Sequence, residues 1–442
     1  MRKLILMLLA ILSITGCREN DNLTDASTPF EMQNASAEYL TVSALPVTPV
    51  SGAITSNTTW SGVIELDGVV TVKDGATLTI RPGTFIKGKI NFNYDPNGVL
   101  VIAKTGKINA VGTETQPIIF TSSRLLDGDE DTTPRPGDFG GVILLGDAPT
   151  NKPSNTVIEG LSGALYQYGG SNAGHNAGIL KYVRIEFAGY DLLGGNSGNE
   201  INGLTLGGVG NGTTLDHIQV SYSLDDSFEF FGGTVNATNL ISFGAQDDNY
   251  DFEYGYKGAV SCALALADYN SSHSYSQGGS SPDSNGIELD NDGTGSSAFP
   301  FTHPILKNFT IVGAKNPLNG GLYENGIHVR RSGKLTLENG TITGYPIGIL
   351  LETLSAGTSL NLADYSFSNV QAHGFTFATA SKVGSGSSAI TIPGVITSTT
   401  NPANLWGMTQ PFFNESKAWN VSPRNCGDFK GVWTKYNFSI VE

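Results

Sequence analysis

The chain has 442 residues, 56 of them glycine and 19 proline, and this density of chain punctuators excludes a helical bundle, where each interior glycine costs about 1 kcal/mol. Forty acidic side chains stand against 25 basic ones, for a formal net charge of −15. That balance argues against nucleic acid as a partner, because phosphate binding needs basic clusters. No Gly-x-Gly-x-x-Gly segment follows a strand and opens a helix, so a nucleotide is not an expected ligand either.

Met1-Arg2-Lys3 is a short basic region, and Leu4 to Ile14 is almost wholly apolar. The run is too short to span a bilayer as a stable helix and reads as a secretory signal. It ends in Ile14-Thr15-Gly16-Cys17, which resembles the lipobox of bacterial lipoproteins, with residues 1–16 removed and Cys17 acylated. The plainer reading is an ordinary signal peptide with a chance cysteine. Arg18-Glu19-Asn20-Asp21-Asn22 loosely resembles the surface-export signal of Bacteroidota lipoproteins. Residues 17–48, rich in Ser, Thr, Ala and Pro, read as a flexible tether. Lipid on Cys17 is then the expected membrane attachment, and the outer membrane, cell-surface side, the expected location.

From residue 49 strand-like alternation begins, in Val63-Ile64-Glu65-Leu66, Val70-Thr71-Val72 and Leu78-Thr79-Ile80, with turns at Asp67-Gly68 and Asp74-Gly75. Strands this short fit a chain that winds, each strand lying on the one a full turn earlier. Internal repeats agree. Leu306-Lys307-Asn308-Phe309-Thr310-Ile311 matches Leu337-Glu338-Asn339-Gly340-Thr341-Ile342, with looser copies at Leu180-Lys181-Tyr182-Val183 and Leu215-Asp216-His217-Ile218. Asn-Gly corners recur at 202–203, 285–286 and 325–326. Leu224-Asp225-Asp226-Ser227-Phe228-Glu229-Phe230 returns after 22 residues as Gln246-Asp247-Asp248-Asn249-Tyr250-Asp251-Phe252, and Gly326-Ile327-His328-Val329 returns at the same offset from Gly348. These patterns predict an all-β, right-handed single-stranded parallel β-helix over 49–395, on the order of 13 coils at about 4.8 Å each. A β-propeller, the rival, needs blades of about 40 residues. Interruptions at 127–137, 189–199 and 268–283 read as loops.

Val72-Lys73-Asp74-Gly75-Ala76-Thr77-Leu78-Thr79-Ile80-Arg81-Pro82-Gly83-Thr84 resembles the N-terminal coil of a family of secreted Bacteroidota lipoproteins with a pectin-lyase-like β-helix. Residues 138–146, 199–210, 221–236 and 431–434 extend the likeness over most of 55–440. The resemblance implies a fold and a location, and no established activity, so function has to be argued from sites.

The doubled acidic turn is the first candidate. At a 22-residue coil, Asp225 lies over Asp247, Asp226 over Asp248 and Glu229 over Asp251. Carboxylates about 5 Å apart repel unless a cation intervenes, and Ca²⁺ takes six to eight oxygen ligands in flexible geometry. Glu253, Glu288, Asp290 and Asp292 extend the acidic face. The same residues also serve as ordinary solvated corners, since Asp and Asn dominate turns. His328 and Arg330 share one face of a strand, with Arg331 and Lys334 following; Arg330, or Arg184 or Lys257 elsewhere, is a candidate base for a uronate lyase. Such cations are otherwise surface charge balance. A β-helical polygalacturonase would need Gly-His-Gly and Arg-x-Lys, and neither occurs.

Tyr166, Tyr168, Tyr190, Tyr250, Tyr254, Tyr256, Tyr269 and Tyr275 lie in or beside the insertions and acidic turns, where aromatic faces stack on pyranose rings. Of these, Tyr250, Tyr254 and Tyr256, with Glu288 and Asp290, are the candidate ligand-binding set; Phe228, Phe230 and Phe252 read as core. Cys262 and Cys426 are permitted a disulfide by export, but one pair cannot be assigned from sequence. Zinc spacing is absent. Residues 396–442, with Trp406, Trp419 and Trp433, read as a cap over the open end of the solenoid. The reading is a lipid-anchored surface β-helix that binds an extracellular glycan or partner surface with help from Ca²⁺. A Ca²⁺-dependent polysaccharide lyase is the enzyme alternative, and a purely structural or adhesive rod the third.

Overall fold

The computed structural model describes residues 38–91, 97–129, 131–191, 200–268, 284–313, 323–353, 360–384, 386–398, 423–427, 429 and 433–436. Cys17, Tyr269, Tyr275, Trp406 and Trp419 lie outside them. No described helix is long and apolar enough to cross a membrane.

Parallel strands wind into a right-handed β-helix with three faces. Sheet I begins with Thr58–Trp60 and Thr77–Ile80 and continues through 179–181, 214–216 and 236–238 to 365–368. Sheet II runs from 47–51, 63–66 and Phe85–Gly88 through 183–186, 218–221 and 240–243 to Val395–Thr397. Sheet III runs from 69–72 through Gly141–Leu145, Leu204–Gly207, Phe228–Phe231, Tyr250–Glu253 and Ile287–Leu289 to 377–382. Alternate side chains point into the tube and stack coil on coil. One such column is Leu180, Leu215, Ala237, Val260, Leu306 and Leu337, all buried.

The bend from sheet I to sheet II is a single residue in the left-handed region. Tyr182, His217, Asn239, Cys262, Asn308, Asn339 and Asn369 occupy it with φ between 51° and 58°. Asparagine suits the place because its short amide bonds locally. Asn339 Nδ2 donates to Asn308 Oδ1 at 3.1 Å, and Asn369 Nδ2 to Asn339 Oδ1 at 2.8 Å. The repeated Leu-x-Asn segments of the sequence are these corners. The 22-residue offset is the coil register itself, pairing Phe228 with Tyr250, Glu229 with Asp251 and Phe230 with Phe252.

At both ends, described residues lie against the outside of sheet II. Residues 38–43, inside the stretch read as tether, are helical and lie on the outside of sheet II. Tyr39 anchors them: it is 3% exposed, packs with Phe85, Ile119 and Leu126, and its hydroxyl donates to Glu186 Oε2 at 2.7 Å. A single buried aromatic is enough to seat a segment whose composition is polar.

Of the segment expected as a cap, the described residues 423–427, 429 and 433–436 lie along the outside of sheet II. Arg424 Nη1 donates to the carbonyls of Gly340 and Asn369 at 2.8 and 2.9 Å. Cys426 is bonded to Cys262. Further back, Trp433 sits 5.2 Å from the His217 ring and Tyr436 5.7 Å from Phe243. The reason lies in the sheet. Ile241, Phe243, Leu264, Leu266 and Val312 point outward from it, and Phe429, Trp433 and Tyr436 cover them. At the near end Lys435 lies 3.7 Å over the Tyr39 ring, and burial holds its amine down to about 7.

Because the bridge pins this strap to the coils, Cys426→Ser, or reduction of the native chain, is expected to destabilise the fold by about 2–4 kcal/mol. Thermal unfolding followed by Trp fluorescence, with and without reductant, checks it. A midpoint unmoved by reductant would mean that the strap holds without its bridge.

Candidate functional site

Sheet III changes chemistry along its outer face. In the early coils Val99, Val101, Ile143 and Leu145 point outward and are covered by Ile158 and Tyr168 of the 147–175 loop. Farther along, the outward row in register is Thr205, Glu229, Asp251, Glu288 and His328. Strand pairing puts each about 4.8 Å from the next.

The corner that feeds this sheet is a ladder of Asx side chains. Asn202 Oδ1 accepts the Asp226 N–H at 3.1 Å, Asp226 Oδ1 accepts the Asp248 N–H at 2.8 Å, and Asp248 Oδ1 accepts the Asn285 N–H at 2.5 Å. Asn285 Oδ1 then accepts from Asn325 Nδ2 at 2.8 Å. One oxygen per coil is all the corner uses, and Asn202 shows that a neutral amide supplies it. The charges on Asp226 and Asp248 therefore exceed what the corner requires.

Those charges converge. One carboxylate oxygen from each of Asp226, Glu229 and Asp251 lies within 4.8 Å of the other two, and the same holds for Asp225, Asp226 and Asp247. Burial raises the proton affinity of Asp226 well above the usual carboxylate range, and the charges of Asp248, Asp225, Asp251 and Asp247 add to it. Glu229 is raised by burial and then by Glu159, Asp226 and Asp251. Glu253 follows the same pattern, with Lys152 opposing. Asn202 Nδ2 donates to Glu159 at 2.9 Å and also to Glu229, so it ties the loop carboxylate to the sheet. Beside Glu229, the Thr205 hydroxyl is buried with no hydrogen-bond partner among the described residues, in a residue 1% exposed.

The remaining candidates divide. Glu288 and Asp290 do not extend an unneutralised acidic face, because Arg330 Nε donates to both Asp290 oxygens at 3.1 Å and its Nη2 to Glu288, while Arg331 Nη1 lies 2.7 Å from Asp290. Arg330 thus lies two coils from Asp251, held by Glu288 and Asp290 of the coil between. His328 is 3% exposed, with Nε2 2.9 Å from Glu352 and Nδ1 3.9 Å from Glu288. Asp292 instead closes its own turn, accepting from Thr294 and Ser296. Lys257 is exposed on the turn leaving sheet III, away from the acidic cluster. Arg184, on sheet II, is buried against Glu186 at 3.0 Å.

Tyr250 and Tyr256 are corrected from ligand residues to core. Tyr250 stacks on Phe228 at 5.2 Å and Tyr256 on Phe252 at 5.4 Å, with hydroxyls donating to the Leu264 and Val235 carbonyls. Inward phase, not proximity to the acidic turn in sequence, decides their place. Tyr254 does remain at the surface, half-buried against Phe231 with the Lys152 ammonium 4.0 Å over its ring. Glu159, Lys152 and Thr205 escaped the sequence reading; the first two come from the 147–175 loop, which broke the coil period without an evident motif.

A curated protein, probable pectate lyase C of Aspergillus oryzae (strain ATCC 42149 / RIB 40), is 29% identical over 153 residues, 31% of this chain and 34% of that one. The chain thus spans about a third of the length of that relative. Among solved structures, the catalytic domain of a GH87 alpha-1,3-glucanase variant in complex with tetrasaccharides covers 80% of this chain and 63% of its own, at 10% identity and a TM-score of 0.26. That overlap is too loose to speak to the site. A family model described as a pectate-lyase-like β-helix domain matches residues 52–410, nearly the whole coil, and the chain belongs to that family.

Proposed function

We propose that this chain binds an extracellular glycan along the outer face of sheet III, with Ca²⁺ held by Asp226, Glu229 and Asp251 and a second oxygen cluster at Asp225 and Asp247. In the same reading a lipid on Cys17 holds it at the outer membrane. The observation that carries the site is the surplus charge of the corner: Asp226 and Asp248 do with carboxylates what Asn202 does with an amide. A buried carboxylate cluster loses its repulsion either to protons or to a cation. Every donor in it is oxygen, which suits a hard, flexibly coordinated ion such as Ca²⁺. Bound there, Ca²⁺ would supply positive charge to an acidic sugar. The likeness to a pectate lyase over part of the chain supports a polysaccharide as the ligand class. Binding is favoured over lyase chemistry because Arg330, the candidate base, donates to Glu288 and Asp290.

Calorimetric titration of Ca²⁺ into the full chain is expected to show binding that Asp226→Asn/Asp251→Asn weakens at least about tenfold, or about 1.4 kcal/mol. The asparagine at 226 keeps the corner acceptor, so the fold is retained. No heat at millimolar Ca²⁺ would remove the metal from the proposal.

The proton alternative gives a pH prediction. Asp226 and Glu229 are raised when folded, so the native state holds protons that the unfolded chain has released above about pH 4.5. In chelator, stability is therefore expected to fall as pH rises from 5 to 8. Glu229→Gln should flatten part of that slope, and Ca²⁺ at pH 8 should restore the midpoint. A wild-type midpoint independent of pH in chelator contradicts the buried-charge account.

A further inference from the structure

The two ends of the described chain meet over sheet II at one basic side chain. Lys435, near the end of the strap, is 7% exposed, and its Nζ lies 3.7 Å above the Tyr39 ring of the entering helix. Its root is fixed as well. The Lys435 N–H donates to Gln219 Oε1 at 2.8 Å, and its carbonyl accepts from Gln219 Nε2, in a residue 1% exposed. With both backbone groups spent on a buried amide, the amine cannot slide out to water unless the strap gives up its seat.

The charges that face this amine are already committed to one another. Arg184 and Glu186 approach it from sheet II, and Glu38 and Tyr39 from the helix. Arg184 Nε lies 3.0 Å from Glu186 Oε1, and its Nη2 lies 3.7 Å from Glu38. Glu186 Oε2 accepts from the Tyr39 hydroxyl and from Thr121 Oγ1, both at 2.7 Å. Arg184 Nη2 also donates to the Tyr39 oxygen at 3.5 Å. One buried tyrosine thus carries a permanent guanidinium at its hydroxyl and the Lys435 amine over its ring.

Burial opposes a charge on that amine most strongly and Arg184 adds to it, while Glu186 and Glu38 favour the charge. The balance holds the amine down to about 7, and a lifted strap returns it to its ordinary 10.5. Burial, then Glu186, raises the Tyr39 hydroxyl well above its ordinary 10, so the ring beneath stays neutral across most of that interval.

We propose that Lys435 is an acid-released latch: the strap end seats on Gln219 and on the Tyr39 helix with this amine neutral, and lifts from sheet II when the amine takes up a proton. The seated strap holds fewer protons than the lifted one between about pH 7 and 10.5. Seating therefore strengthens as pH rises through that window, at most about tenfold per unit, and is weakest below it. The bond between Cys426 and Cys262 survives the opening, so the coil itself stays wound.

Hydrogen exchange of the full chain with its bridge intact tests the latch, read by mass spectrometry on the peptide carrying Trp433 to Tyr436 and corrected for the intrinsic rate. In the wild type that peptide is expected to open about thirtyfold more at pH 7 than at pH 9. Lys435→Met keeps the length and removes the proton site, and should stay closed at both. Lys435→Arg keeps a charge throughout, and should stay open at both. A wild-type opening that ignores pH overturns the latch. So does a Lys435→Met chain that opens at pH 7 as the wild type does, or a Lys435→Arg chain as closed at pH 9 as the wild type. The acidic corner of sheet III is the same in all three chains, so its own pH response drops out of the comparison.

Discussion

Vertical registration governs this molecule. Because each strand pairs in parallel with the strand one coil away, a side chain's nearest neighbours are the residues at the same place in the coils above and below, about 4.8 Å off. Like therefore meets like. For aromatic residues this is favourable, and Phe230 and Phe252 stack at 4.8 Å inside the tube. For asparagine at a corner it gives amide-to-amide bonds from coil to coil. For carboxylates it forces repulsion, and Glu229 over Asp251 is the same geometry applied to charges that need a counterion or a proton.

The three faces resolve their outer sides differently. Sheet I leaves polar side chains such as Thr77, Lys107 and Asp216 toward solvent. Sheet II points Ile241, Phe243, Leu264 and Leu266 outward, and Phe429, Trp433 and Tyr436 cover them. Sheet III begins like sheet II, apolar under a loop, then turns acidic where the loop stops. Among the described residues, this polar, partly buried surface is flanked by a carboxylate-rich corner on one side and by Lys152 over Tyr254 on the other. The division follows from which residues occupy the outward phase, since the inward phase is apolar apart from members such as Ser242 and Thr379.

The coil was legible because its signal is repetition. Leu-x-Asn segments and the 22-residue return of Asp-Asp are local patterns whose spacing equals the structural register. The stacking of Glu229 on Asp251 followed directly. The 202, 226, 248 and 285 corners were visible separately, as Asn-Gly and as Asp-Asp turns, but the equivalence of amide and carboxylate in one ladder emerges only when coils are aligned through loops of unequal length. Tyr250 and Tyr256 were misplaced because tyrosine serves equally at a surface or, with its hydroxyl satisfied, in a core. The roles of Glu159 and Lys152 depend on a loop that carries no period, and Tyr39 and Trp433 on contacts across 145 residues or more. Sequence periodicity reports what repeats; the site is assembled from what interrupts it.

One consequence of the strap concerns force. Residues 39 and 435 touch, so the entering and departing ends of the described chain leave the coil side by side on sheet II. Tension drawn between them would not stretch the tube along its axis. It would unzip the strap from the flank, one aromatic contact at a time, from Tyr436 toward Phe429. Peeling would stop at Cys426, where a covalent bond hands the load to the coil at Cys262. The strap thus acts as an extensible slack of about ten residues with a fixed stop, and sheet III, on another face, would be spared the pull.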